Sequence, residues 1–225
     1  MSDALLSCVE IEPSETARAA VIWLHGLGAD GHDFEGIVPA LGIPTELGVR
    51  FVFPNAPRIP VTLNGGFVMP AWYDITELDL ERKHDETGIR ASAAQIEALI
   101  QREKERGIPS DRILLAGFSQ GGAIALFTGL RHAEPLAGVM ALSTYLVCEE
   151  SLEAERSQAN REVSVFGAHG TEDPMVPISR GRAAKERLEK LGYAVEWHEY
   201  PIPHAVGPEE VAHIGAWLRQ QLASH

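Results

Sequence analysis

The sequence predicts an α/β protein with a central, mostly parallel sheet flanked by helices, and three observations predict it. Short β-rich runs alternate with helical patterns along the chain. Most of the β runs are apolar at nearly every position, as strands covered on both faces must be. The length, 225 residues, suits one such domain with a sizeable core, residues 1–225.

Taken in order, AAVIWLHG (19–26) and VRFVFPNAP (49–57) are buried strands, the second stopped by its prolines. From about Asp85 to Arg106 the residues Ile89, Ala93, Ile96 and Ile100 recur at offsets of 4, 3 and 4, one stripe of an amphipathic helix. Gly107 and Pro109 end it. RILLAG (112–117) is a strand, followed at once by a helix, QGGAIALFTGLRH (120–132). LAGVMALS (136–143) and EVSVFGAHG (162–170) are two further buried strands. A helix over 178–192, an alternating strand over 194–200 and a helix over 208–222 complete the series. Residues 57–84 break the pattern: they carry prolines and glycines without clear periodicity. A loop that long inside a compact domain often lines a site, so it is expected to pass over the sheet near the site.

The formal net charge is -13, and no cluster of Lys and Arg offers a nucleic-acid backbone a partner. The N-terminus has no basic n-region and no sustained apolar h-region, so no signal peptide is expected. No stretch approaches the roughly 18 apolar residues that span a bilayer. The expected setting is the cytoplasm, without integral membrane association. There the two cysteines, Cys8 and Cys148, are read as reduced, buried thiols.

In GFSQG (117–121) the pattern G-x-S-x-G falls where a strand ends and a helix begins. That context suits a nucleophile elbow. The serine takes a strained conformation, small flanking residues let strand and helix approach, and the hydroxyl projects above the sheet edge. The pattern alone is weak, since chance produces it in roughly one chain of this length in ten. A reactive serine also needs a base and a carboxylate to orient that base. Asp173, in the loop after the strand at 162–170, and His204, in the loop after the strand at 194–200, follow Ser119 in the order that α/β-hydrolases use. Glu172 is a rival carboxylate, and His25, His32 and His169 are rival histidines on loops at the same sheet edge. Backbone N–H groups of Leu27, in the glycine-rich stretch WLHGLGADG, and of Gln120, opening a helix, are positioned to receive an oxyanion. No H-E-x-x-H and no paired Cys/His spacing suggests a metal.

LHGLGADG, FPNAP, NGGFVMPAWYDI, GFSQGG, GTEDPMVP and YPIPHAV, in this order over nearly the whole chain, resemble the bacterial carboxylesterase and acyl-protein thioesterase family. The resemblance implies an α/β-hydrolase fold without a large cap domain and a Ser119–Asp173–His204 triad, with Leu27 and Gln120 as oxyanion donors and no metal or cofactor. It implies a serine esterase acting on carboxylic esters of short to medium acyl chains, the alternative being an acyl-protein thioesterase or lysophospholipase for long chains. Two residues depart from the commoner pattern, Pro203 before the histidine and Pro70 after Met69. Leu63, Phe67, Met69 and Trp72, within 57–84, are the apolar candidates for an acyl pocket, although each also suits plain packing. An apolar patch on that segment would serve a homodimer as readily as a lipid.

Overall fold

The computed structural model describes residues 5–76 and 84–223. Part of the expected excursion, 77–83, and the C-terminal His225 lie outside them. Seven strands form one sheet: β1 (Cys8–Ile11), β2 (Ala19–Leu24), β3 (Val49–Pro54), β6 (Ile113–Phe118), β7 (Gly138–Leu142), β8 (Val165–Gly170) and β9 (Val195–Tyr200), in the spatial order β1-β3-β2-β6-β7-β8-β9. β1 runs antiparallel to β3, and every other pairing is parallel.

The unbroken apolar runs follow from two-sided burial. Along β2, Ala20, Ile22 and Leu24 enter one core, while Ala19, Val21 and Trp23 enter the other. The first core is covered by α1 (Glu86–Glu105), α2 (Gln120–Gly129), α3 (Glu149–Glu155) and α4 (Ile178–Lys190). The predicted stripe of α1 is buried against it, and Asp85 caps that helix by accepting the Gly88 N–H. The second core is covered by α5 (Pro208–Ala223) and the 3₁₀ turn Glu35–Leu41.

Residues 57–84 differ from the expected irregular loop. They open with an antiparallel hairpin, β4 (Arg58–Val61) and β5 (Phe67–Pro70), whose register pairs Ile59 with Met69 and Val61 with Phe67. Pro60 and Pro70 hide both strands from a propensity reading, and a two-stranded ribbon tolerates them because each strand is an edge. Gly65 and Gly66, with φ of 64° and 78°, turn the tip. The ribbon is tied down at its root, where Ala71 N–H donates to Pro57 O at 3.0 Å and Thr62 N–H to Asp74 Oδ1 at 2.7 Å.

Both cysteines are free; Cys148 is buried, as expected, whereas Cys8 is only half-buried. Cys8 opens the edge strand β1, which is covered incompletely. Among the described residues, no helix is long and apolar enough to cross a membrane.

Candidate active site

Ser119 stands between β6 and α2 with φ 54° and ψ −122°, a conformation that side-chain-bearing residues rarely adopt. The surroundings hold it there. Ser119 N–H donates to Leu142 O at 2.8 Å, and its carbonyl accepts Thr144 Oγ1 at 2.6 Å. The flanking glycines are required for space: a Cβ added to Gly117 would lie 2.3 Å from the Gly121 backbone, and one on Gly121 would lie 2.5 Å from Leu24 O. Strand and helix therefore meet at backbone distance, and the serine side chain is left at the sheet edge.

Asp173 and His204 emerge from the loops after β8 and β9 at that same edge. The imidazole donates from Nδ1 to Asp173 Oδ2 at 2.6 Å. The other carboxylate oxygen, Oδ1, accepts the N–H groups of Met175 at 2.8 Å and Val176 at 2.9 Å, so the carboxylate is held on both oxygens. The Phe118 ring lies 4.6 Å from that of His204. Ser119 and His204 line one cavity of about 390 Å³. Among the described residues no hydrogen bond joins the Ser119 hydroxyl to the His204 imidazole; in unliganded sites of this type that bond is often long.

The rivals separate by environment. Glu172 points outward and is exposed. His32 is exposed and bonded to Glu35 at 2.8 Å. His25 is buried; its Nδ1 meets Gly26 O at 2.7 Å while Nε2 accepts the Ala56 N–H at 3.1 Å. Burial lowers its pKa, so it is a neutral strut joining the loops after β2 and β3. His169 is buried beside Asp173 on the side away from the cavity.

Leu27 and Gln120 both line the cavity. Their backbone N–H groups have no hydrogen-bond acceptor among the described residues. Next to Leu27, Gly28 (φ 78°) donates its N–H to Pro70 O at 2.8 Å, which fastens this loop to β5. The Gln120 side chain ties the other wall, accepting Trp72 N–H and donating to Tyr73 O, each at 2.8 Å.

Of the four apolar candidates, Leu63 lines the cavity. Trp72 is a correction: it is 2% exposed, donates Nε1–H to His25 O at 2.9 Å and packs in the core beneath the site. Phe67 is a second: it is 67% exposed and does not line the cavity. Met69 is half-buried with Sδ beside Asn64 Nδ2 at 3.5 Å, in contact with a residue of the cavity wall. The apolar lining comes instead from Ile75, Phe118, Tyr145, Met175 and Val176, with Asp33 and Asn64 as polar members. Phe118, Tyr145, Met175 and Val176 lie at or just beyond the ends of β6, β7 and β8, a placement that strand order alone makes legible. Partial burial raises the pKa of Asp33, against the opposing influence of His25.

The sheet order and the site at its carboxyl edge define an α/β-hydrolase. Residues 7–222 match the phospholipase/carboxylesterase family, a serine hydrolase family, and the chain belongs to it. The chain is similar to acyl-protein thioesterase 1 of Gibberella zeae, 38% identical over 99% of this chain and 98% of that protein. It is also similar to acyl-protein thioesterase 1 of Neurospora crassa, 41% identical over 91% of this chain and 87% of that one. The crystal structure of Zea mays acyl-protein thioesterase 2 superposes with a TM-score of 0.85 at 28% identity, covering 96% of this chain and 99% of that one. The family resemblance holds; these relatives are fungal and plant proteins and do not carry its bacterial part.

Proposed function

We propose that this protein is a cytoplasmic serine hydrolase that cleaves long-chain acyl thioesters, through an acyl-enzyme on Ser119. The observation that carries the chemistry is the Asp173–His204 hydrogen bond of 2.6 Å beside a serine held at positive φ on the same cavity. The preference for long acyl thioesters over short esters rests on the relatives' name, acyl-protein thioesterase 1. His204 takes the Ser119 proton as the oxygen attacks the acyl carbonyl, and Asp173 fixes the imidazole tautomer and balances its positive form. The N–H groups of Leu27 and Gln120 receive the oxyanion, each worth about 3–4 kcal/mol in the transition state. His204 returns the proton to the departing thiol, and water releases the acid by the reverse sequence. The cavity volume lies in the range of small-molecule sites, and its mostly apolar wall suits an acyl chain.

The same wall would accept an ester, so a carboxylesterase for short to medium chains is the second reading. Initial rates on palmitoyl thioester, lysophospholipid and short p-nitrophenyl esters separate the two. The thioester is expected to give the highest kcat/KM; a short ester ahead of both long-chain substrates would favour the second reading. A fluorophosphonate probe is expected to label Ser119, and Ser119→Ala to lower kcat by about 10⁶. Labelling that persists in Ser119→Ala would reject the serine mechanism itself.

A further inference from the structure

A second imidazole faces the catalytic carboxylate. His169, the penultimate residue of β8, is fully buried. Its Nε2 lies 2.9 Å from Val176 O and 3.5 Å from Asp173 Oδ2, the oxygen that also binds His204. Because a carbonyl can only accept, Nε2 carries the proton and Nδ1 does not. Nδ1 has no partner and faces a cavity of about 20 Å³ between β8, β9 and α4. The fold makes room for this ring. A Cβ on Gly181 of α4 would come within 2.4 Å of His169 Nδ1, and the Trp197 ring of β9 lies 6.2 Å from the imidazole.

We infer that His169 is a positioning residue for the hydrolytic reaction: its single Nε2–H latches the 173–176 turn through Val176 O, with Asp173 Oδ2 3.5 Å from the same nitrogen, so that the carboxylate stays aimed at His204. The inference rests on the triad reading proposed above. The turn depends on both ends. Asp173 Oδ1 gathers the Met175 and Val176 N–H groups, while His169 holds the Val176 carbonyl on the opposite side of the same residue. Without that latch the turn could rotate, and Oδ2 would swing from the imidazole.

His169 also acts by charge. The charged and titratable groups around it are Asp173, His204, Glu199 of β9, which is paired with Arg182 of α4 at 2.7 Å, and Lys185 of α4, which shares the small cavity and is paired with Glu189 at 2.9 Å. Burial lowers the His169 pKa, and no protein side chain stands ready to accept a proton from Nδ1, so the ring stays neutral while His204 cycles. Its N–H dipole draws on the negative charge of Oδ2 without competing for the His204 proton.

The test compares His169→Leu, which has no donor, and His169→Asn, whose shorter amide leaves no N–H at the position of Nε2, with His169→Gln, whose amide keeps an N–H near that position. Each is measured by kcat, KM and a pH profile of kcat/KM, with thermal unfolding to establish folding. The removal variants are expected to lose at least roughly tenfold in kcat with little change in KM. Their acidic limb moves to higher pH, because a carboxylate relieved of the His169 dipole holds a proton more firmly on its other imidazole. His169→Gln is expected to restore the limb and recover most of kcat relative to the removal variants. A folded Leu or Asn variant with the parent kcat and limb would overturn the inference. So would a Gln variant displaced as far as Leu, since ring packing rather than the N–H would then matter. If Ser119→Ala or Asp173→Asn instead keeps activity, the triad reading fails, whatever His169 does.

Discussion

Replacing Glu210 by Gln should stabilise the protein at alkaline pH and do almost nothing in acid. Glu210 is the third residue of α5, where its Oε2 accepts the Gly207 N–H at 3.4 Å in the manner of a capping box, with Pro208 as the first helical residue. It is also 1% exposed, and Oε1 has no partner. Burial pushes its pKa from an ordinary 4.5 up to about 7. The folded chain therefore keeps a proton that the unfolded chain releases at about 4.5, and stability falls as pH rises between those values. Above pH 7 the whole penalty is present: two and a half pH units at about 1.4 kcal/mol each is about 3.5 kcal/mol. The positive end of α5 offsets roughly 0.5 kcal/mol of it. Gln preserves the shape and the acceptor without the charge, so the gain above pH 8 is about 2–3 kcal/mol, or about 5–10 °C in Tm for a chain of this size. Thermal unfolding followed by circular dichroism at pH 4.5 and pH 8.5 measures the gap. A variant no more stable than the parent at pH 8.5, or a gap equal at both pH values, would refute the reasoning.

Gln120→Ala should leave the Trp72 N–H and the Tyr73 carbonyl unpaired in the core, at about 1–3 kcal/mol for each group; urea unfolding checks the loss, and KM should rise more than kcat falls. Leu63→Ala should alter relative rates across acyl lengths, in steps no larger than about 1–3 kcal/mol for each methylene, while Phe67→Ala, outside the cavity, should leave the profile unchanged. Burial pushes both thiols up to about 11, so at pH 8 about one in a thousand is thiolate. Iodoacetamide should then modify Cys8 and Cys148 slowly in the folded protein and fast in urea, and fast modification of folded protein would contradict that environment.

The inner strands were legible because two-sided burial writes itself as an unbroken apolar run, as in β2 and β6. Elements with little buried surface left no such record. β1 is four half-covered residues at the sheet edge, and α3, EESLEAE, buries only Leu152. The order of Ser119, Asp173 and His204 was readable because each follows a strand and a parallel sheet sends those ends to one rim. The pocket was not, since side-chain direction there depends on how the hairpin folds back. Trp72 goes inward because its N–H finds His25 O, whereas Phe67 stays exposed although its cross-strand partner Val61, on the same face of the ribbon, is fully buried. Neither choice has a sequence period.

The two ends of the β4–β5 ribbon carry different constraints. Near Pro70 the chain is bolted to the loop bearing Leu27, whereas at Gly65 and Gly66 an added Cβ would meet nothing within 4 Å, the constraint there being only the positive φ of the turn itself. Substitutions at Leu63 and Asn64, which stand beside that far end and line the cavity, should therefore retune which substrates are admitted while the fastened root keeps its place.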